Sequence, residues 1–63
     1  MDLEKAEKIW IGLDKKWKEV RELQKEFDEG TKGRENLGRV LQNISDAKQR
    51  LRIVTDNHYD GKG

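Results

Sequence analysis

The strongest constraint on this chain is the spacing of its apolar residues, which recur at alternating steps of three and four. In the first half, this series occupies Leu3, Ala6, Trp10, Leu13, Trp17, Val20, the polar Gln24, and Phe27. Such spacing places one stripe of side chains along one side of an α-helix and is typical of a coiled-coil contact line. No proline interrupts the series, Asp2 is a candidate N-cap, and Gly30 a candidate left-handed cap. The pattern predicts a helix over about residues 2–29.

A second apolar series follows a short turn-rich segment. The segment EGTKG, residues 29–33, places Thr31 between two glycines as a candidate cap for the next helix. The second series occupies Leu37, Val40, Ile44, Ala47, Leu51 and Val54, broadened by Leu41 and Lys48. We therefore predict a turn at about 30–33, a second helix over about 33–56 and a flexible tail over 57–63. The expected fold is all-α, a single domain formed by an antiparallel two-helix hairpin with coiled-coil heptads.

The apolar stripes are wider than a two-helix contact requires. At 100° per residue they span roughly 160° in the first helix and roughly 140° in the second. A second copy of the hairpin would cover the excess, so we expect dimerisation into a four-helix bundle. The predicted oligomer core consists of Leu3, Trp10, Leu13, Trp17, Val20, Phe27, Leu37, Val40, Ile44, Leu51 and Val54. Trp10 and Trp17 are interpreted as core residues, with an exposed aromatic recognition site as the alternative.

Several apolar residues fall beside or opposite the stripes. Ile9 and Leu23 lie beside the stripe of the first helix, and Ile11 and Ile53 point away from the stripes of their helices. Isolated apolar residues are common on protein surfaces. The alternative hypothesis is that these four residues contact a partner protein, with Gly12 beside Ile11 marking a close approach.

Composition argues against an enzyme and against a bound cofactor. The 63 residues contain no cysteine and one histidine, His58, which lies in the predicted tail with Tyr59 and neighbouring aspartates. A terminal segment of this kind does not hold a catalytic or metal-binding geometry. The stretch GTKG lacks the spacing of a phosphate-binding loop. We expect no catalytic, metal or cofactor site.

The balance of charge bears on partners. The chain has 14 basic and 13 acidic residues, and 43% of it is charged. Candidate nucleic-acid contacts are Arg39, Lys48, Arg50 and Arg52, but acidic residues interrupt this set, which favours salt-bridged solvated faces instead. No apolar segment is long enough for a signal peptide or a membrane span. We expect a soluble cytoplasmic protein that does not contact a membrane.

In length and layout the chain resembles the Rop family, short helical hairpins that dimerise into antiparallel four-helix bundles and bind paired RNA. This resemblance is one of architecture and implies no particular site residues. Three functional hypotheses follow. The first is a non-enzymatic homodimeric module, of bacterial or phage type, that regulates, inhibits or adapts a partner protein. The second is Rop-like binding of RNA or DNA, and the third is a structural coiled-coil element of a larger assembly such as a phage particle.

Overall fold

The structure is a hairpin of two antiparallel helices. The computed structural model describes residues 3–60, and for residues 57–60 the backbone alone. Helix α1 spans Leu3–Gln24 and α2 spans Lys32–Asp60. The two helices pack against each other. The side-chain amide of Gln24 donates a hydrogen bond to the carbonyl of Arg34 near the turn, and Lys48 donates one to the carboxylate of Asp14 farther along. The predicted all-α two-helix hairpin is confirmed.

Helix α1 ends earlier than the residue-29 boundary expected from the sequence. The amide of Lys25 still bonds the carbonyl of Arg21, but those of Glu26 and Phe27 bond the carbonyls of Leu23 and Gln24. These are bonds to the third preceding residue, which tighten and close the last turn. The acidic residues that follow would be repelled by the negative end of the helix dipole, so continuing the helix through them is unfavourable.

The turn uses the residues that the sequence singled out. Gly30 has the expected left-handed conformation, with φ of 86°, but it lies in the turn and not directly after α1. Thr31 is the N-cap of α2: its Oγ1 accepts a hydrogen bond of 3.3 Å from the amide of Arg34. The same hydroxyl donates to the carbonyl of Asp28 at 2.7 Å. The predicted capping role of Thr31 is therefore confirmed.

Helix α2 is longer than expected, running to Asp60 where the sequence suggested an end near residue 56. Neither proline nor glycine occurs between Gly38 and Gly61, so nothing in that stretch breaks the helix. Residues 57–60 of the predicted flexible tail are thus helical. The rest of that tail lies outside the described residues, as do Asp2 as a predicted N-cap and the side chain of His58.

The helices contact each other along the expected stripe of α1 but along a rotated stripe of α2. The half-buried residues of α2 include Leu37, Leu41, Ile44, Lys48, Leu51 and Thr55. Val40 and Val54 are 39% and 47% exposed, and Ala47 is also exposed. Gly38, on the Leu41 side of α2, lies against the amide of Gln24, and Gly33 lies against the ring of Phe27 beside the turn. Because Gly38 carries no side chain, α2 can approach α1 closely on the flank that also holds Leu41 and Lys48.

The hairpin alone encloses almost no core. Among the described residues, Ala6 is the one buried hydrophobic residue, and no large side chain is fully buried. Trp10 and Trp17 are half-buried between the helices, in the stripe where the sequence placed them.

Candidate functional site

The two helices give the hairpin two long faces of different character. Because side chains advance 100° per residue and the helices are antiparallel, one flank of each contact stripe falls on the same side of the hairpin. We call one side the apolar face, formed by Ile9, Leu13, Val20 and Leu23 of α1 with Val40, Ile44, Ala47, Leu51 and Val54 of α2. We call the other side the ion-paired face, formed by Trp10, Asp14, Lys18, Arg21, Lys48 and Arg52.

The apolar face leaves large hydrophobic side chains in solvent. Ile9 is 51% exposed and Leu23 45% exposed, on the same side as Val40 and Val54. Leu13, Val20, Ile44 and Leu51 continue this surface inward as half-buried residues. Single exposed apolar residues are ordinary, but a contiguous set along both helices is typical of an interaction surface.

The ion-paired face is organised around one carboxylate. Lys48 donates to Oδ1 of Asp14 at 2.7 Å, and Nζ of Lys18 lies 3.3 Å from Oδ2. The hydrogen bond from Lys48, followed by that from Lys18, holds the pKa of Asp14 below its ordinary value, against a smaller opposing effect of desolvation. The carboxylate therefore stays charged and joins the two helices.

The tryptophans contribute the aromatic part of the ion-paired face. Nζ of Lys48 lies 4.6 Å from the ring centroid of Trp10, and Cζ of Arg52 lies 5.7 Å from the same ring. Cζ of Arg21 lies 5.5 Å from the ring of Trp17. Cations at these distances are attracted by the negative face of an aromatic ring. Each tryptophan is thus half-buried between the helices and has a cation near its ring.

The four candidate partner contacts fall in two separate places. Ile9 and Leu23 belong to the apolar face, whereas Ile11 and Ile53 lie away from it, 56% and 50% exposed. Ile11 also borders an open groove of ≈ 420 Å³ between the helices at the end opposite the turn. This groove is lined by Leu3, Ala6, Glu7, Trp10, Ile11, Leu51, Arg52, Thr55 and Asp56.

The candidate nucleic-acid contacts are not assembled into one surface. Lys48 and Arg52 lie together over Trp10, and Lys48 is engaged with Asp14. Arg39 lies on the outer side of α2, with its Nη2 3.8 Å from Oε1 of Glu35. Arg50 lies near that outer side too, on the helical spacing. The set is divided between opposite sides of α2.

Sequence reasoning missed the link between Asp14 and Lys48. It placed Lys48 at the margin of the apolar stripe, whereas the structure pairs Asp14 with Lys48 as well as with Lys18. Two sequence features could have predicted it: a lysine inside the apolar series of one helix, and a carboxylate at the same level along the hairpin on the other helix. Together these indicate an interhelical ion pair.

Comparisons with protein-family models, with curated proteins and with solved structures gave no match. In the part of the chain that the structure describes, neither helix combines the length and apolarity needed to cross a membrane. Within the same part, acidic and histidine side chains form no group of three or more that could hold a metal ion.

Proposed function

We propose that this protein is a small, non-enzymatic protein–protein interaction module that works through its apolar face. The observation that carries the proposal is the contiguous exposure of Ile9, Leu23, Val40 and Val54 along one side of a hairpin whose other side is charged. An exposed apolar surface rimmed by polar residues marks a site where another macromolecule binds. On this proposal, the module regulates, inhibits or adapts the protein that it contacts.

The distribution of cations supports a protein partner over a nucleic acid. Binding along a phosphate backbone requires a continuous row of available cations. Here Lys48 is held by Asp14, Arg39 lies beside Glu35, and Lys18 also lies beside Asp14. Competition with these carboxylates would weaken each phosphate contact.

Site-specific photo-crosslinking in the source cell tests the proposal. A photoreactive benzoyl-phenylalanine replaces Val40 on the apolar face, and a matched variant carries it at Ile53, which is similarly exposed but points away. We expect covalent adducts with polypeptide from position 40 and few from position 53. Equal labelling at both positions, or no polypeptide adduct at position 40, would contradict the proposal.

The same crosslinking experiment would also detect binding to a nucleic acid. Adducts that are sensitive to nuclease and appear at position 53 in preference to position 40 would favour the nucleic-acid hypothesis. Binding by the purified chain would then have to weaken steeply as salt is raised, because counterion release drives such association.

A further inference from the structure

We propose that the apolar face is covered by a second copy of this chain, giving a homodimeric four-helix bundle with the ion-paired face outside. This inference rests on the proposed function and names the first partner of the interaction surface. Three properties of the single chain support it: its surface area, its shape and the balance of charge beside the apolar face.

The single chain exposes more surface than a folded monomer of its mass. Its accessible surface is 5203 Å² for a mass of 7.4 kDa. The usual relation between mass and surface gives about 4,200 Å² for a compact protein of this size. The excess is about 1,000 Å², close to the roughly 800 Å² that each partner buries in a standard interface. One interface of ordinary size would therefore remove the excess.

The elongated shape of the chain also favours a second copy as the partner. The radius of gyration is 14.8 Å, and the extents are 47 × 16 × 10 Å. A compact domain of this length has a radius of gyration of about 11 Å, and one of twice the length about 14 Å. The hairpin is one layer of helices, and a second identical layer would make it a two-layer body with an enclosed core.

Charge beside the apolar face does not oppose self-association. Lys16, at the α1 edge of this face, has its Nζ 3.2 Å from Oε1 of Glu19. The two copies in a twofold dimer present the same surface to each other, so an unbalanced charge there would be repelled by its own counterpart. Lys16 is already balanced within its own helix. The ion-paired face, with its several cations, has no comparable apolar surface to offer.

A second copy also supplies the stabilisation that a single hairpin lacks. Chains of this length usually depend on disulfides, a metal or self-association because one small core is insufficient. The sequence contains no cysteine, and Ala6 is the sole buried hydrophobic residue among those described. Pairing of apolar faces would enclose the inner residues Leu13, Val20 and Ile44 together with the exposed ones.

Sedimentation equilibrium on the purified chain tests this inference, with a matched pair of isoleucine variants. The wild type should have twice the 7.4 kDa chain mass at micromolar concentration. Ile9→Glu should raise the dimer dissociation constant about 100-fold, because it places a charge inside the interface. Ile11→Glu, on the same helix and 56% exposed, should change that constant by no more than about threefold.

A second pair of variants distinguishes loss of the dimer from loss of folding. Val54→Lys and Ile53→Lys place the same charge on adjacent residues of α2, 47% and 50% exposed in the wild type. Obligate dimers often have no stable folded monomer, so circular dichroism is followed with concentration. Helicity that is lost in Val54→Lys but recovered at higher protein concentration, and retained in Ile53→Lys, supports the dimer.

The contrary outcomes are distinct. A wild-type chain that is monomeric and helical at about 100 µM overturns the dimer, as does equal weakening by Ile9→Glu and Ile11→Glu. A monomer whose position 40 crosslinks to another protein would leave the proposed function standing without this inference. A dimer in solution whose position 40 crosslinks in the cell to a second copy of this chain and to no other protein would do the reverse.

Discussion

Nζ of Lys48 in α2 lies 2.7 Å from Oδ1 of Asp14 in α1, although the two residues are 34 positions apart in sequence. The same ammonium lies 4.6 Å from the ring of Trp10. The lysine thus contacts a carboxylate and an aromatic ring of the other helix at once. This arrangement fixes the relative height of α1 and α2 on the side of the hairpin away from the apolar face.

A double-mutant cycle on this pair should give a favourable coupling free energy. We expect Asp14→Asn and Lys48→Gln each to lower the melting temperature, because each removes the ion pair between the two helices. The second substitution should then cost less in the presence of the first. Thermal denaturation of the four proteins, followed by circular dichroism, measures the coupling. Additive effects would show that the contact contributes nothing to stability.

Stability should depend on acid pH through Asp14. Its pKa is lowered in the folded protein relative to 3.8, chiefly by the hydrogen bond from Lys48. The contribution of Asp14 to stability is therefore fully present above pH 3.8, where its carboxylate is charged in both the folded and the unfolded chain. As pH falls below 3.8 the unfolded chain takes up the proton first, and the contribution is lost as pH passes through the lower folded pKa.

The measurement compares wild type with Asp14→Asn in chemical denaturation between about pH 7 and about pH 2. The difference in free energy of unfolding should be constant near neutrality and decrease below pH 3.8. Glu4→Gln serves as the control, since its carboxylate is exposed and its Oε1 lies 4.0 Å from Nζ of Lys8. A difference between wild type and Asp14→Asn that stays constant over the whole range would contradict the assignment.

Two glycines should respond in opposite directions to alanine. Gly30 has a φ of 86°, so Gly30→Ala should destabilise the protein by about 1 kcal/mol even though space for a methyl group exists. Gly12 lies inside α1, and a methyl group added there would meet nothing within 4 Å beyond its neighbours in the helix backbone. Gly12→Ala should therefore stabilise the protein by about 1 kcal/mol. Urea denaturation of both variants measures the two shifts, and a loss of stability in Gly12→Ala would indicate that another chain approaches α1 at this position.

Gly33 should resist alanine for a different reason. A Cβ at this position would lie 2.6 Å from two ring carbons of Phe27, which requires the ring to move. We expect Gly33→Ala to cost about 1–3 kcal/mol, as for other overpacked sites. In a Phe27→Leu background the same substitution should cost less. An equal cost in both backgrounds would place the strain somewhere other than the ring.

The elements and their order could be predicted from apolar spacing, because that spacing reports directly which side of a helix leaves water. The contact stripe of α1 matches its series from Leu3 to Gln24. The N-cap at Thr31 was also predictable, since a hydroxyl before a helix start has one strong local role. These features depend on neighbours within a few residues.

The features that sequence reasoning missed depend on the other helix. Val40 and Leu41 are equally apolar, so apolar spacing could not choose between them. The missing side chain of Gly38, on the Leu41 side of α2, lets this flank lie close to Gln24. For the same reason Lys48, assigned to the margin of the stripe, points at Asp14. Rotation of a helix about its own axis is decided by packing against its partner, and apolar spacing alone fixes it only to within about one position.

The turn described above also has a consequence for the order of folding. The hydrogen bond from Gln24 to the carbonyl of Arg34 closes a loop of 10 positions, whereas that between Asp14 and Lys48 closes one of 34. The entropy lost in closing a loop grows with its length, so the contacts beside the turn are the least costly to form first. The hairpin should therefore close from Thr31 outward, with the open-end groove beside Trp10 completed last.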